Sequence, residues 1–519
     1  MEAIDSIQEI SSQDQGSKLI DGLLYLGSII LGLWFVFLFY KKLVGISFLL
    51  FMVAFYLLVF IAFRRKIKFR PLISWFLLFV VLILSSSYFI FTNALFMVLN
   101  FFMILFLVVS HQLLITGLHE SPWDQLKFIP ETILNFFEKA FSNLPRFSLD
   151  SFFNLKSFSD NNKVNTMRKV LIGIVISIPI IFIVIALLAF ADDVFRYYMN
   201  DLFQSIKLAD LFNQLFIFFL ATSLVYGFLW SFMFSRKVEN GDKSQEKIRP
   251  TKSLDSVISM TFLLMFNFVY LGFFLVKYAY MFGAINYVLP EGFLPAEYAR
   301  KGFSELLIIA LINFTIYAIF IKFKPLAGKT YAFFLNILTS SLVLFTLAIL
   351  FSAHLRMTLY EAAFGYTYLR VLTHGFMIFL FTLIIVALFK IWIKQVPLKK
   401  LYIVLSLVAF MLVNYANIDK MIASRNIERY HLSGEIDDYY LQRLSFDSYP
   451  DLVEFYIRYE SSSHLYRAFH QKNEILSKTK HWASFNLARR DAKKALDRFF
   501  KMEQLKLSPF QGKVEKMEF

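Results

Sequence analysis

Cysteine is absent from the 519 residues. That excludes disulfides, thiol nucleophiles and Cys-ligated metals. Catalytic signatures are missing as well: no HExxH, GxSxG or GxGxxG run occurs. The stretch Pro325 to Thr330 ends like a phosphate loop, but Phe323 stands where the opening glycine is required. His119 and Glu120 are adjacent without a second histidine four residues on, and the eight histidines are dispersed, so no sequence-local metal site and no cofactor are expected. No acid sits in a metal-binding run, which weighs against an enzyme. Glycine and proline are few, at 18 and 12, and no pair of Gly- or Pro-broken spans recurs at matching positions in two halves, which weighs against an inverted-repeat transporter. The first apolar block lacks a basic n-region and an A-x-A cleavage site, so it reads as a retained helix and not a removed signal peptide.

What the chain has in abundance is apolar sequence. Hydrophobic residues make up 58%, arranged in about eleven blocks from Leu23–Tyr40 to Leu401–Tyr415, each long enough to cross roughly 30 Å of hydrocarbon as a helix. Barrel strands would alternate apolar and polar residues, whereas these runs are apolar on every face. The fold class is all-α, a polytopic membrane protein with about eleven transmembrane helices and a small helical C-terminal domain. The organisation expected is a cytoplasmic N-terminal segment at 1–22, four spans in 23–117, a cytoplasmic amphipathic segment at 118–169, a seven-helix membrane domain at 170–415 and an extracytoplasmic helical domain at 416–519.

Orientation follows from the basic residues, because cations are retained on the cytoplasmic side of short loops. The even-numbered loops with Lys18 hold 26 Lys and Arg against 9 in the odd-numbered loops. The N-terminus is therefore expected in the cytoplasm and, after an odd number of spans, the tail outside. The net charge of +15 is spread over loops at the membrane surface instead of forming one stripe. That distribution suits anionic lipid headgroups and not nucleic acid.

Three polar stretches interrupt the pattern. In 118–169, Pro130 and Glu131 open a helix whose Ile133, Phe136, Phe137, Phe141 and Leu144 form one apolar stripe, with Glu138 and Lys139 off it. The spacing predicts a helix lying in the inner interface. Residues 236–254 form a polar linker. In the tail, Gly434 marks a break, Ser448 before Tyr449 and Pro450 a helix start, and Trp482 to Lys501 one long amphipathic helix with Phe485, Ala488, Ala492, Leu496 and Phe499 on one face.

Topology then gathers polar residues on the outer side: Asp192; Glu297, Tyr298, Arg300 and Glu305; His354, Arg356, Tyr360, Glu361, Arg370 and His374; and Asn414, Asn417 and Asp419. The candidate polar pocket is Asp192, Glu297, Tyr298, Arg300, Glu305, Arg356, Tyr360, Arg370, His374, Asn417 and Asp419. Ionisable groups at membrane depth are costly and usually paired. Arg356 and Arg370 are accordingly expected to face a carboxylate from another helix, Glu297, Glu305 or Asp192. The competing reading is a structural collar, since Glu297 with Lys301 and Lys301 with Glu305 are i, i+4 pairs that support a helix start.

The runs LPAEYARKGFSELLIIAL, FSAHLRMTLYEAAFGYTYLRV, NYANIDKMIASRNIERYHLSGEIDDYYLQRLSFDSYPDL and HWASFNLAR resemble an uncharacterised bacterial family of polytopic membrane proteins carrying a domain of unknown function, and the run at Ala191 to Phe195 is similar to an A-D-x-x-F element there. The resemblance covers the chain from about Val170 onward and implies a bacterial cytoplasmic-membrane location. Its pattern residues are Asp192, Glu297, Tyr298, Arg300, Gly302, Glu305, Arg356, Tyr360, Gly365, Arg370, Asn417, Asp419, Asn426, Asp437 and Asp447.

Two functional classes follow. One is a non-catalytic envelope or permease-like protein whose outer pocket receives a small solute, a lipid headgroup or an envelope protein. The other is a membrane-embedded transferase on a lipid-linked or diphosphate-containing substrate, with Glu297 or Glu305 as base and Arg300, Arg356 or Arg370 holding phosphate.

Overall fold

The computed structural model describes residues 22–64, 72–150, 208–234, 254–283, 303–323, 328–459, 463–478 and 481–514, with parts of 181–198. Ten helices among the described residues are long and apolar enough to cross a membrane. They are α1 (Gly22–Phe39), α2 (Ile46–Phe63), α3 (Leu72–Ile90), α4 (Ala94–Thr116) and, after the amphipathic α5 (Phe128–Phe141), α6 (Leu208–Phe234), α7 (Ser256–Gly283), α8 (Phe303–Lys322), α9 (Lys329–Phe364), α10 (Tyr368–Trp392) and α11 (Leu398–Tyr415). The remaining expected span, Val170–Ala191, falls mostly outside the described residues. The tail adds α12 (Ile418–Ser433), α13 (Asp438–Leu441), α14 (Tyr449–Tyr459), α15 (Ser463–Lys478) and α16 (Leu487–Val514). The protein is a helical, multi-pass membrane protein.

The chain forms two compact units. One comprises Met1–Ile90, Val98–Lys237 and Thr479–Asn486; the other comprises Phe91–Met97, Val238–Lys478 and Leu487–Phe519.

In the first unit α2 packs on α3 and α5 on α6. With lipid tails as apolar as leucine, such helices associate through close packing and inter-helix hydrogen bonds, and Asn100 Nδ2 donates to Ser87 Oγ at 2.9 Å between α4 and α3. α5 turns its stripe away from the protein: Ile133, Phe137 and Phe141 are exposed, while Thr132 and Ala140 are buried. Lys139, expected on the polar face, is buried with its ammonium 5.0 Å from the Phe232 ring. The face of α5 turned to the protein carries Phe128 and Lys139 as well as Thr132 and Ala140, with Lys139 set against α6 and Thr132 Oγ1 3.5 Å from Ser110 Oγ on α4.

The expected helix from Trp482 begins later. Trp482–Ser484 is a single 3-10 turn, Phe485 leaves helical geometry, and the helix proper starts at Leu487. The backbone of 485 and the side chain of 486 are used elsewhere: Ile46 N–H donates to Phe485 O at 2.9 Å and Asn486 Nδ2 to Tyr88 O at 2.9 Å. Gly45 permits this approach, for a Cβ there would stand 2.4 Å from Phe485 O.

In the second unit α9 is the central element, packed against α7, α8 and α10. Leu306, Ala310, Tyr317, Leu350, Ala353 and Met377 lie in its core. Polar ties cross that core: Tyr270 Oη donates to Asn313 Oδ1 at 2.6 Å, Asn313 Nδ2 to Thr346 Oγ1 at 3.1 Å, and Tyr317 Oη to Ala387 O at 2.7 Å. The tail helices close around Tyr449, Leu452, Phe469, Leu496 and Phe499. Gly434 ends α12 in the left-handed region at φ 71°, the usual glycine terminator.

Candidate functional site

The stretch expected as an outer loop after residue 352 is helical. Residues 353–364 (AHLRMTLYEAAF) contain no glycine or proline and several strong helix formers, so α9 runs unbroken for 36 residues to Phe364. At 1.5 Å per residue it is about 54 Å long, well beyond roughly 30 Å of hydrocarbon. Counting along α10 from Lys390 in its last turn, His374 lies about 24 Å away along the axis, near the far edge of a bilayer.

The last carbonyls of a helix have no partner within it, and here arginines supply most of them. Arg429 Nε donates to Ala362 O at 3.1 Å and Nη2 to Ala363 O at 2.8 Å. Arg370 Nη1 donates to Phe364 O at 2.9 Å and also to Gly365 O, and its guanidinium stacks 4.3 Å from the Tyr360 ring. Cations at a helix C-terminus also meet the negative end of its dipole. Arg370 therefore faces carbonyls and an aromatic ring among its described contacts, and not the inter-helix carboxylate expected for it. Gly365 occupies φ 80°. Asn426 brackets the next residue, accepting from Tyr366 N at 3.0 Å through Oδ1 and donating to Tyr366 O at 2.9 Å through Nδ2.

Beside this capped end, α9 and α10 bring three ionisable side chains into line. Glu361, 4% exposed, places Oε2 2.9 Å from His374 Nε2. His374 Nδ1 lies 2.9 Å from Nδ1 of the half-buried His354. Oε1 of Glu361 is buried with no hydrogen-bond partner, and Nε2 of His374 is likewise buried without one, so its 2.9 Å approach to Oε2 is an ion-pair contact outside hydrogen-bond geometry. His354 and Glu361 were legible as outer polar residues but were not among the pocket candidates. Their partnership needs helical phase, since 354 and 361 share a helix face only if 353–364 is helical.

The other candidates disperse. Asp192 belongs to the first unit and, exposed, accepts from Val194 N at 2.8 Å and Phe195 N at 2.9 Å through Oδ1, a local cap. Glu305 is exposed in the first turn of α8, where a carboxylate suits the dipole. Arg356 is half-buried on α9. Glu297, Tyr298 and Arg300 lie outside the described residues. Asn417, at φ 46°, caps α12 by accepting from Lys420 N at 3.3 Å. Asp437 caps α13 by accepting from Tyr440 N at 2.9 Å. Several residues of the family pattern are thus devices for starting and ending helices.

Asp419 enters a second cluster, in the tail of the same unit. Its Oδ2 accepts from Asn93 Nδ2 at 2.5 Å and lies 2.8 Å from Ser445 Oγ, which is also 2.7 Å from Asp447 Oδ2. Asp447 Oδ2 further accepts from Thr92 N at 2.9 Å and Thr92 Oγ1 at 2.6 Å. Asn93 Nδ2 also reaches Tyr368 Oη. Both aspartates are buried. One serine hydroxyl has a single hydrogen for two carboxyl oxygens, so the second contact needs a carboxyl proton. Burial pushes the Asp447 carboxyl up, its Thr92 and Ser445 hydrogen bonds pull it down, and Asp419 adds to the rise. Burial likewise lowers the Lys472 ammonium, against the attraction of Asp419, and the Arg489 guanidinium, against that of Asp447. The role of Thr92 and Asn93 was hidden in the sequence, 355 residues from Asp447 in the case of Thr92.

The family model for the domain of unknown function DUF4153 matches residues 78–455. The chain belongs to this family. As a DUF4153 protein it carries Glu361, His374, Asp419 and Asp447 inside the matched region, together with the helix-capping Arg370 and Arg429. The match begins in α3, earlier than the resemblance from Val170 onward implied, and stops before the HWASFNLAR run. No curated protein and no solved structure matches the chain.

Proposed function

We propose that this DUF4153 protein is a non-catalytic, permease-like protein of the bacterial cytoplasmic membrane, with its N-terminus in the cytoplasm and its tail outside, and that the cluster at the Phe364 end of α9 receives a small solute from the outer side. The observation that carries this reading is Glu361, a buried acid beside a histidine with one carboxyl oxygen left without a hydrogen-bond partner. A buried acid is costly, and ionisable groups within membrane spans mark solute and ion pathways. Orientation rests on the bias of basic residues between loops. The transferase alternative loses support because Arg370, one of its phosphate-holding candidates, is occupied by the carbonyls that end α9.

The test is a deletion strain profiled for uptake of a labelled solute panel and for envelope lipids, complemented by wild type, Glu361→Gln and His374→Gln at equal membrane abundance. Uptake of a solute class restored by wild type and not by the variants supports the reading. Altered lipid composition that both variants restore in full overturns it.

A further inference from the structure

We propose that Glu361, His374 and His354 form a proton relay, so that the ion bound at this site is a proton. The inference deepens the permease-like reading and rests on it only for what the proton would drive. The three groups follow one another in space: Glu361 Oε2 lies 2.9 Å from His374 Nε2, in contact though outside hydrogen-bond geometry, and His374 Nδ1 lies 2.9 Å from His354 Nδ1. Two ring nitrogens at that distance cannot both be bare acceptors, so one carries the hydrogen that joins them. They also leave no room for a metal ion between them, and no group of three or more acidic or histidine side chains among the described residues is arranged to hold one.

The steps balance. A proton bonding to Nε2 of His354 releases the Nδ1 proton of that ring to Nδ1 of His374. His374 in turn releases its Nε2 proton to Oε2 of Glu361 once a small turn of the ring or the carboxylate aligns the 2.9 Å contact. Each N–H bond broken is matched by one N–H or O–H bond formed, no electrons change owner, and the relay gains one proton and one unit of positive charge. The path runs from a half-buried ring to a buried carboxyl, as a route from an aqueous edge into a membrane protein must.

The surroundings bear on when it fills. On α9 itself are Arg356 and Tyr360, on α10 Arg370, on α8 Glu305, and on the loop Tyr366, with Arg425, Glu428 and Arg429 following on α12. Arg370 and Arg429 are fixed on backbone carbonyls, so they supply a constant positive field that does not titrate with the relay.

The experiment is infrared difference spectroscopy of the full-length protein in lipid nanodiscs, titrated between pH 4 and 9. Wild type is expected to show a protonated-carboxyl band that Glu361→Gln removes. His374→Gln, which keeps Glu361, is expected to shift the frequency of that band, since it removes the imidazole that hands Glu361 its proton. A spectrum in which Glu361→Gln leaves every carboxyl band unchanged overturns the relay. Should Glu361→Gln fail to fold, a band unmoved in His374→Gln overturns it equally. Proton binding without any uptake phenotype would refute the permease-like reading and keep the relay; an uptake phenotype without the band would do the reverse.

Discussion

Asp447 is a residue whose protonation the fold itself controls. Its carboxyl sits above the ordinary value of 3.8 because burial disfavours the charge, so between those two values the folded state binds more protons than the unfolded chain. Its contribution to stability is present in full below the unfolded value and is lost as pH rises through the folded one. Melting of the purified protein in detergent is therefore expected to move to lower temperature as pH rises from about 4 toward neutrality. Asp447→Asn should flatten part of that slope. Asp451, also raised by burial, contributes with the same sign and keeps the remainder. A wild-type melting temperature that is flat or rises over the interval would contradict the shared-proton geometry around Ser445.

Two further residues test the end of α9. Gly365→Ala forces a side chain into φ 80° and puts a Cβ 2.6 Å from Asn426 Oδ1, which is expected to destabilise by about 1 to 2 kcal/mol from the left-handed backbone alone, and by more from the clash. Arg429→Met keeps the apolar stem and removes the donors to Ala362 O and Ala363 O, with a loss of about 1 to 3 kcal/mol. Chemical denaturation in mild detergent reads both. Wild-type stability in Arg429→Met would mean that water, and not arginine, completes those carbonyls, and wild-type stability in Gly365→Ala would mean that Asn426 and the turn give way at no cost.

At the scale of elements, α5 is a helix whose apolar stripe the protein leaves uncovered. It buries Thr132 and Ala140 and leaves Ile133, Phe137 and Phe141 outward, an arrangement that in water would forgo about 1.5 to 3 kcal/mol per large side chain. An interfacial position recovers it. A spin label at position 137 in liposomes is expected to be relaxed more by dissolved oxygen than by a water-soluble nickel chelate, and the opposite order would place the helix in water. The periodicity of Ile133, Phe136, Phe137 and Phe141 made the stripe legible in the sequence. Which side of the helix met the protein was not, because the buried face mixes Phe128 and Lys139 with Thr132 and Ala140 and no single-sequence pattern distinguishes such a face from an uncovered one. The extent of α9 was missed for a related reason. Hydropathy falls after residue 352, but helix propensity does not, and the backbone follows propensity until Gly365.

For the molecule as a whole, the charge bias makes a direct claim. Reporter fusions after Arg70 and Lys252 are expected to behave as cytoplasmic, and fusions after Asp201 and Phe519 as extracytoplasmic. A cytoplasmic signal from the Phe519 fusion would change the parity of the spans and invert the side on which the relay opens. The membrane class, the helical fold and the family are legible from the order of residues, since each depends on runs of apolar residues or on local motifs that need no partner to be read. Tertiary structure decided which polar residues meet. Arg370 was expected at a carboxylate and stands on carbonyls, Asp192 and Asn417 became local caps, and Glu361 found His374 across two helices. Thr92 and Asp447 meet across 355 residues. Those outcomes turn on helix phase and on which helices lie side by side, and an interior without water makes the choice of partner decisive, because a buried polar group left alone costs more than the bond it forgoes.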